Sequence, residues 1–127
     1  MALLNRLVGL PAALAVLSLT VPLSAAPKVG EGERVKQVAA ANVCFITKQH
    51  SEKPQVPVVV DGKTYFGCCA DCTQTLQNDP KSRMDIDPVS GKEVDKATAV
   101  IGADKTGKVY FFENVQNLKK FRVPASQ

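Results

Sequence analysis

Hydrophobic, polar and turn-forming positions follow the same order in two parts of the chain. In the first part, the β-branched segment Val56–Val60 leads through Asp61-Gly62 into the aromatic segment 63–66. β-Branched and aromatic residues favour strands, and Asp-Gly is typical of a two-residue hairpin turn. Residues 69–78 contain neither Gly nor Pro, and Asp79-Pro80 then stops helical structure. We therefore predict a β-hairpin followed by a helix.

The second part has the same order of signals. Residues 98–102 predict a strand, residues 104–107 a turn, residues 108–112 the partner strand and residues 113–121 a short helix. Apolar residues three positions apart give that helix one buried face: Val115, Leu118 and Phe121. The polar segment 79–83 between the two parts is a candidate boundary.

The two parts form an internal repeat. Residues 62–66 (Gly-Lys-Thr-Tyr-Phe) match residues 107–111 (Gly-Lys-Val-Tyr-Phe) in register, and continuing without a gap sets Leu76 against Phe121. The second part has Ser90, Glu113, Asn114 and Asn117 where the first has Cys44, Cys68, Cys69 and Cys72. Because it lacks every thiol, we expect the second part to be a packing partner of the first or to hold a different ligand.

These patterns predict an α+β fold. It consists of two small tandem units, each a β-hairpin plus a helix of the treble-clef or zinc-ribbon kind, packed together. The cysteine-bearing unit spans residues 42–82, and the unit without cysteines spans residues 83–127. Residues 27–41 begin rich in Gly and charge, and they predict either a linker or a short helix from about Glu33.

The N-terminus has the pattern of a secretory signal peptide. A short positive region precedes the uncharged run 7–23, and Ser24-Ala25-Ala26 supplies small residues for cleavage. We therefore predict that residues 1–26 are a signal peptide and that the protein is exported to the periplasm without a stable membrane anchor. An uncleaved single-span anchor is the alternative, although Pro11 and Pro22 make the run a poor transmembrane helix.

Length and charge limit the classes of function that this protein can have. The 127 residues carry a formal charge of +4, and about 100 residues remain after the signal peptide, enough for one domain or two very small ones. Basic residues are scattered, without a stripe interleaved with aromatics, so we expect no nucleic-acid partner. The single histidine, His50, has no neighbouring residues for a catalytic triad, and we expect a protein that is not an enzyme.

Three of the four cysteines lie within five residues, at the predicted junction of strand and helix. These are Cys68, Cys69 and Cys72, with Cys44 upstream. If the helix begins near Cys68, Cys72 shares a helix face with either of the other two, at a spacing of three or four residues. The positive end of the helix dipole favours thiolates there, and the thiolate is the form that binds metal.

Two alternatives to a metal site stay open. Four cysteines in an exported chain usually form disulfides, which would make this a disulfide-stapled interaction module. Their clustering disfavours that role, because stapling disulfides gain most when they close long loops. Cys69-Ala70-Asp71-Cys72 also has the C-x-x-C form of a thiol–disulfide exchange site at a helix start, although the strand and helix order is not that of a thioredoxin.

Several residues of the first unit have the spacing of a known kind of small domain: Cys44, Gly62-Lys63-Thr64-Tyr65, Cys68, Cys72 and Asp79-Pro80. The second unit contributes residues 87–91 and 107–111. On these residues the chain resembles the metal-binding YHS and TRASH domains, over residues 42–121. It departs from their pattern at Phe45, where a glycine is expected, and at Gly67, where an aromatic residue is usual.

By this resemblance, Cys44, Cys68 and Cys72 are the metal ligands, and the family's usual roles are sensing, trafficking and resistance to heavy metals. Thiolates favour Cu(I), Zn(II) or a heavier thiophilic ion over Mg²⁺ or Ca²⁺. Cys69 is either a fourth ligand that completes a tetrahedron or an exchange ligand that passes the ion to a partner. A metal transporter or efflux component is the candidate partner.

Overall fold

The computed structural model describes Gly9 and residues 32–125. The predicted signal peptide, residues 1–26, lies outside the described residues except for Gly9, and so do residues 27–31. Within the part of the chain that the structure describes, no helix has the length and apolar character needed to cross a membrane. The described residues form a mixed α+β fold of short antiparallel strands and two helices.

Nine strands and two α-helices make up most of the described fold, with short 3-10 helices at Ala40–Asn42 and Pro80–Arg83. The strands are β1 Lys36–Gln37, β2 Val43–Cys44, β3 Gln49–His50, β4 Val56–Val60, β5 Lys63–Gly67, β6 Met84–Ile86, β7 Glu93–Asp95, β8 Val100–Ala103 and β9 Val109–Phe112. The α-helices are α1 Ala70–Asn78 and α2 Val115–Lys120. β2 pairs with β3, β4 with β5 and β6 with β7, whereas β1, β8 and β9 form a three-stranded sheet in that order. All of these pairings are antiparallel.

Both predicted hairpins and both predicted helices are confirmed. The turn between β4 and β5 places Asp61 at φ 51° and Gly62 at φ 74°, the left-handed backbone that a tight hairpin turn requires at both central residues. α1 begins at Ala70 and ends before Asp79-Pro80, as the sequence indicates. α2 is shorter than the predicted range 113–121, because Asn114 and Phe121 have extended backbone and flank the helix as its caps.

The short helix expected from about Glu33 is wrong for the described part of that segment. Lys36 pairs with Ala103, so this segment adds the strand β1 to the edge of β8. Val35 is buried beside Gly102, where a built Cβ would lie 2.7 Å from a Val35 methyl group. The missing side chain of Gly102 makes room for Val35, and this contact, distant in sequence, outweighs a weak helical pattern.

One hydrophobic core joins the cysteine-bearing residues 42–82, called the first half below, to residues 83–125, called the second half. The first half supplies Val43, Phe45, Tyr65 and Leu76, and the second half supplies Val94, Ile101, Ala103, Val109 and Phe111. Apolar burial is the main source of stability in folded proteins, and here it depends on residues from both halves. We therefore expect the two halves to unfold together.

Phe45 occupies the centre of this core. Its side chain is fully buried, and its ring meets those of Tyr65, Phe66 and Phe111 edge-on, with centroids 6.2, 5.8 and 5.4 Å away. A glycine at this position would lose all three contacts, each of a geometry that aromatic pairs prefer. Phe45 directly follows Cys44, so the core also fixes the backbone of that cysteine.

A buried carboxylate, Asp87, organises the second half. One of its oxygens accepts hydrogen bonds from the backbone N–H groups of Val89 and Ser90, at 2.7 and 3.2 Å. The other accepts from the backbone N–H of Glu113 and from the side-chain amide of Asn117, at 2.7 and 2.8 Å. Burial raises the pKa of Asp87, but these hydrogen bonds outweigh it and hold the pKa below its ordinary value.

Replacing Asp87 is expected to destabilise the fold. In Asp87→Asn one acceptor oxygen becomes an NH2 group that faces existing donors, and we expect a loss of about 2 to 3 kcal/mol in the free energy of unfolding. The stabilisation from the carboxylate is full above about pH 4 and is lost as pH falls through the lowered folded-state pKa. Urea unfolding at about pH 7 and about pH 3 should show a shallower acid dependence in the variant.

The matched control is Asp61→Asn, at an exposed turn residue whose left-handed backbone asparagine also adopts. Equal stability of Asp87→Asn and the unmodified protein at neutral pH would contradict a structural role for the buried carboxylate.

Candidate metal centre

Three cysteines from different elements converge in the first half. Cys44 ends β2, Cys68 follows the last residue of β5, and Cys72 lies in the first turn of α1. Their sulfur atoms all lie within 4.8 Å of one another. Cys44 and Cys72 are buried, whereas Cys68 is exposed. This group of three cysteines, called the triplet below, is therefore shielded from solvent on one side and open to it at Cys68.

The sulfur spacing fits a metal ion better than a disulfide. The Cys68 and Cys72 sulfurs are 3.6 Å apart, and all four cysteines are free thiols. A disulfide bond is about 2.05 Å long. Tetrahedral bonds of about 2.3 Å to one ion would place sulfur atoms about 3.8 Å apart. Small side-chain movements would therefore bring the triplet to metal-binding distances.

The turn after Cys44 favours its thiolate. The backbone N–H of Lys48 donates to the Cys44 carbonyl at 2.9 Å, and Lys48 takes a left-handed φ of 55°, which curls the turn back on itself. Burial raises the pKa of the Cys44 thiol, but hydrogen bonds from the Thr47 hydroxyl and from the backbone N–H groups of Thr47 and Ile46 outweigh burial. The pKa falls to about 7.

The two partner thiols hold protons that a metal ion would displace. The pKa of Cys68 is raised, mainly by a hydrogen bond to Cys44. Burial raises the pKa of Cys72 to about 12, with further increases from hydrogen bonds to Cys69 and Cys68. Near neutral pH about half of the metal-free molecules are therefore expected to carry a thiolate at Cys44 beside protonated Cys68 and Cys72, and metal binding releases thiol protons.

Cys69 lies outside the triplet. It is the N-cap residue of α1 and is exposed, and its sulfur is 3.5 Å from that of Cys72. The pKa of Cys69 is lowered, mainly by the backbone N–H of Cys72 and to a smaller extent by the backbone N–H of Asp71. The structure therefore places Cys69 beside the triplet as an exposed thiol with an increased tendency to ionise.

Gly67 lets α1 approach the end of β5. A Cβ built on this buried residue would lie 3.0 Å from the Cys72 Cβ and 3.2 Å from the backbone nitrogen of Thr73. An aromatic residue there would push the helix away and separate Cys72 from Cys68. Neither Gly67 nor Thr47 is identified as a site residue from the sequence, although a glycine at a strand end does indicate a close backbone approach.

The other polar residues considered in the sequence lie elsewhere. An isolated histidine in the polar segment 49–53 is expected in an exposed loop, but His50 is on β3, half-buried and paired with Val43. Asp71 is exposed on α1, as expected for an acidic residue at a helix start. Neither belongs to the group of possible ligand atoms that the described residues bring together.

Comparison with known proteins gave no match. No family model matches the sequence, and searches of curated proteins and of solved structures found no significant similarity.

Alkylation of the reduced, metal-free protein with iodoacetamide should label Cys69 first. Cys69 is exposed and its pKa is lowered, whereas Cys68 is exposed with a raised pKa, and Cys44 and Cys72 are buried. Peptide mass spectrometry over a time course at neutral pH would give the order. Denatured protein, in which all four thiols are accessible, is the control, and faster labelling of Cys72 than of Cys69 would contradict the geometry.

Proposed function

We propose that this protein binds one thiophilic metal ion through Cys44, Cys68 and Cys72 and acts in the trafficking, buffering or resistance of such ions. The observation that carries the proposal is the convergence of the three sulfur atoms within 4.8 Å, from β2, the end of β5 and α1. Among the described residues, no carboxylate or imidazole joins this group of sulfur atoms, and three sulfur ligands favour Cu(I) or Zn(II) over hard cations.

The family resemblance is part of this proposal. The three convergent cysteines are the three that the YHS and TRASH pattern names as ligands. In each half a short strand pair is followed by a hairpin and then a helix, which is the order expected of tandem treble-clef-like units. The N-cap residues Cys69 and Asn114 have nearly the same backbone angles, φ −153° and ψ 174° against φ −156° and ψ 170°.

The second half supports a distinct role for the thiols. In the first half, a bound ion would connect the Cys44 turn, the strand end at Cys68 and the helix at Cys72. In the second half, Asp87 connects its own turn to the strand end at Glu113 and to the helix at Asn117. A hydrogen-bonded carboxylate thus makes the cross-link there without metal, so the fold itself does not require thiols at these positions.

Export to the periplasm and delivery to a metal transporter or efflux component complete the proposal. The support for export is the N-terminal signal-peptide pattern, and the support for delivery is the open side of the triplet at Cys68 and Cys69. With binding and transfer as its task, the protein is proposed to act without catalysis.

Thiol–disulfide exchange is the second candidate function. The sulfurs of Cys69 and Cys72 are 3.5 Å apart, and Cys69 is exposed. The Cys69 thiolate would attack a partner disulfide to form a mixed disulfide and release one partner thiol. The Cys72 thiol would then lose its proton and attack Cys69, which releases the second partner thiol and leaves a Cys69–Cys72 disulfide.

Removal of a ligand cysteine should abolish tight metal binding. Protein purified without reducing agent is expected to carry about one thiophilic ion per chain by mass spectrometry. Loss of a residue that only supports a ligand typically lowers metal affinity 10 to 100-fold. Loss of a direct ligand is expected to do more, so Cys44→Ser, Cys68→Ser and Cys72→Ser should each lower the affinity at least about 100-fold. Competition with chromophoric chelators for Zn(II) and Cu(I) would measure this.

Cys69→Ser is the matched control for that series and should retain the ion. If Cys44→Ser binds metal normally but Cys69→Ser loses disulfide reductase activity, thiol–disulfide exchange replaces metal binding as the proposed function.

Cys69 is expected to speed transfer of the ion. Its exposed sulfur lies next to Cys72 and can contact an incoming acceptor before the buried ligands are released. Cys69→Ser should therefore leave affinity little changed while slowing transfer to a dithiol acceptor in stopped-flow measurements. Serine is a good N-cap residue, so the helix is preserved. Asn114→Ser, the same change at the N-cap of α2, is the control, and equal transfer rates for both variants would contradict this role.

A further inference from the structure

Lys96 is a buried lysine in the second half. Only 6% of its surface is exposed, and lysine is rarely buried to this extent without a charged partner. Its ammonium donates to the backbone carbonyls of Phe45 and Ser82, each at 2.8 Å, and lies 5.5 Å from the centre of the Phe111 ring. Lys96 takes part in none of the ion pairs found among the described residues.

Both carbonyls that Lys96 contacts belong to the first half, and one of them is next to the metal centre. Phe45 follows Cys44 directly, and its carbonyl lies in the turn whose N–H groups and hydroxyl stabilise the Cys44 thiolate. Lys96 therefore reaches across the core from the half without cysteines to hold the ligand turn.

The charged groups around Lys96 include the Cys44 thiolate. Burial lowers its pKa, and Lys48 acts in the same direction, whereas Asp85 and Cys44 favour the protonated form. Asp85 is already paired with Lys48 at 2.8 Å. Burying an ammonium is costly unless a negative charge compensates it, and the thiolate of Cys44, the residue directly before the Phe45 carbonyl that Lys96 contacts, can supply that charge.

We propose that Lys96 is a positioning residue of the metal centre, whose buried positive charge offsets the negative charge that the thiolates retain after an ion binds. This inference rests on the proposed function. Three thiolates keep one negative charge with a divalent ion and two with a monovalent ion. Lys96 therefore favours Cu(I) more strongly than Zn(II), because attraction between charges grows with their product.

The test compares affinities for the two ions in variants of Lys96. Lys96→Gln keeps a hydrogen-bond donor for the Phe45 carbonyl but has no charge, and Lys96→Arg keeps the charge. We expect Lys96→Gln to lose at least about tenfold more affinity for Cu(I) than for Zn(II), which corresponds to one more unit of log K. Lys96→Arg should restore most of that difference. Chelator competition at fixed pH and ionic strength gives both constants.

Lys92→Gln is the matched control. It removes one exposed lysine from the same half, and its side chain is 70% exposed and paired with Glu113, so solvent screens its charge from the metal centre. Thermal unfolding of the metal-free variants shows whether each one folds.

The outcomes separate the two proposals. Equal losses for Cu(I) and Zn(II) in Lys96→Gln are the result of a purely structural role and would overturn the inference, as would no loss for either ion. If the unmodified protein binds neither ion, the proposed function fails, and this inference fails with it. If the unmodified protein binds both ions and Lys96→Gln discriminates between them as expected, both proposals stand.

Discussion

The burial of Phe45 is the constraint on which the rest of the structure depends. The residue has no exposed surface, and its ring contacts aromatic residues from both halves of the chain. Because the backbone of Cys44 precedes it, the position of that sulfur is set by the core rather than by a flexible loop. The Phe45 backbone N–H also donates to the Phe66 carbonyl at 2.8 Å, which ties the Cys44 turn to β5 and thereby to Cys68.

The N-cap residues of the two helices differ in how well they stabilise the helix. At α2 the Asn114 side chain accepts a hydrogen bond from the backbone N–H of Asn117 at 2.8 Å, as a good N-cap residue does. At α1 the same position holds Cys69, whose sulfur lies near the backbone N–H groups of Cys72 and Asp71, which favour its thiolate. However, it makes no side-chain cap hydrogen bond like that of Asn114. Cysteine is a poorer choice than asparagine or serine for helix stability, so its presence at this exposed position is better explained by chemistry with an ion or a partner than by folding.

Local signals in the sequence predict most of the secondary structure, since Asp61-Gly62 and Asp79-Pro80 act on their immediate neighbours. The pairing of β1 with β8 depends on Val35 meeting Gly102, a contact 67 residues apart in the sequence that no local pattern reveals. The same limit applies to the site. Clustered cysteines can be found from spacing alone, whereas the role of Thr47 requires the curled backbone after Cys44. A lysine such as Lys96 gives no sequence signal that it is buried.

The shared core has a consequence for how the proposed site would work. Small zinc domains whose core is built around the metal are unfolded without it. Here nine buried residues from both halves form the core, none of them is one of the three cysteines, and the three sulfurs already lie within 4.8 Å of one another. A site held in this way would need little reorganisation to bind an ion, and the core would not depend on keeping it. Under the proposed function, the protein would release the ion to an acceptor that approaches Cys68 and Cys69 while its core stays intact, which is the behaviour that metal transfer requires and a purely structural metal site lacks.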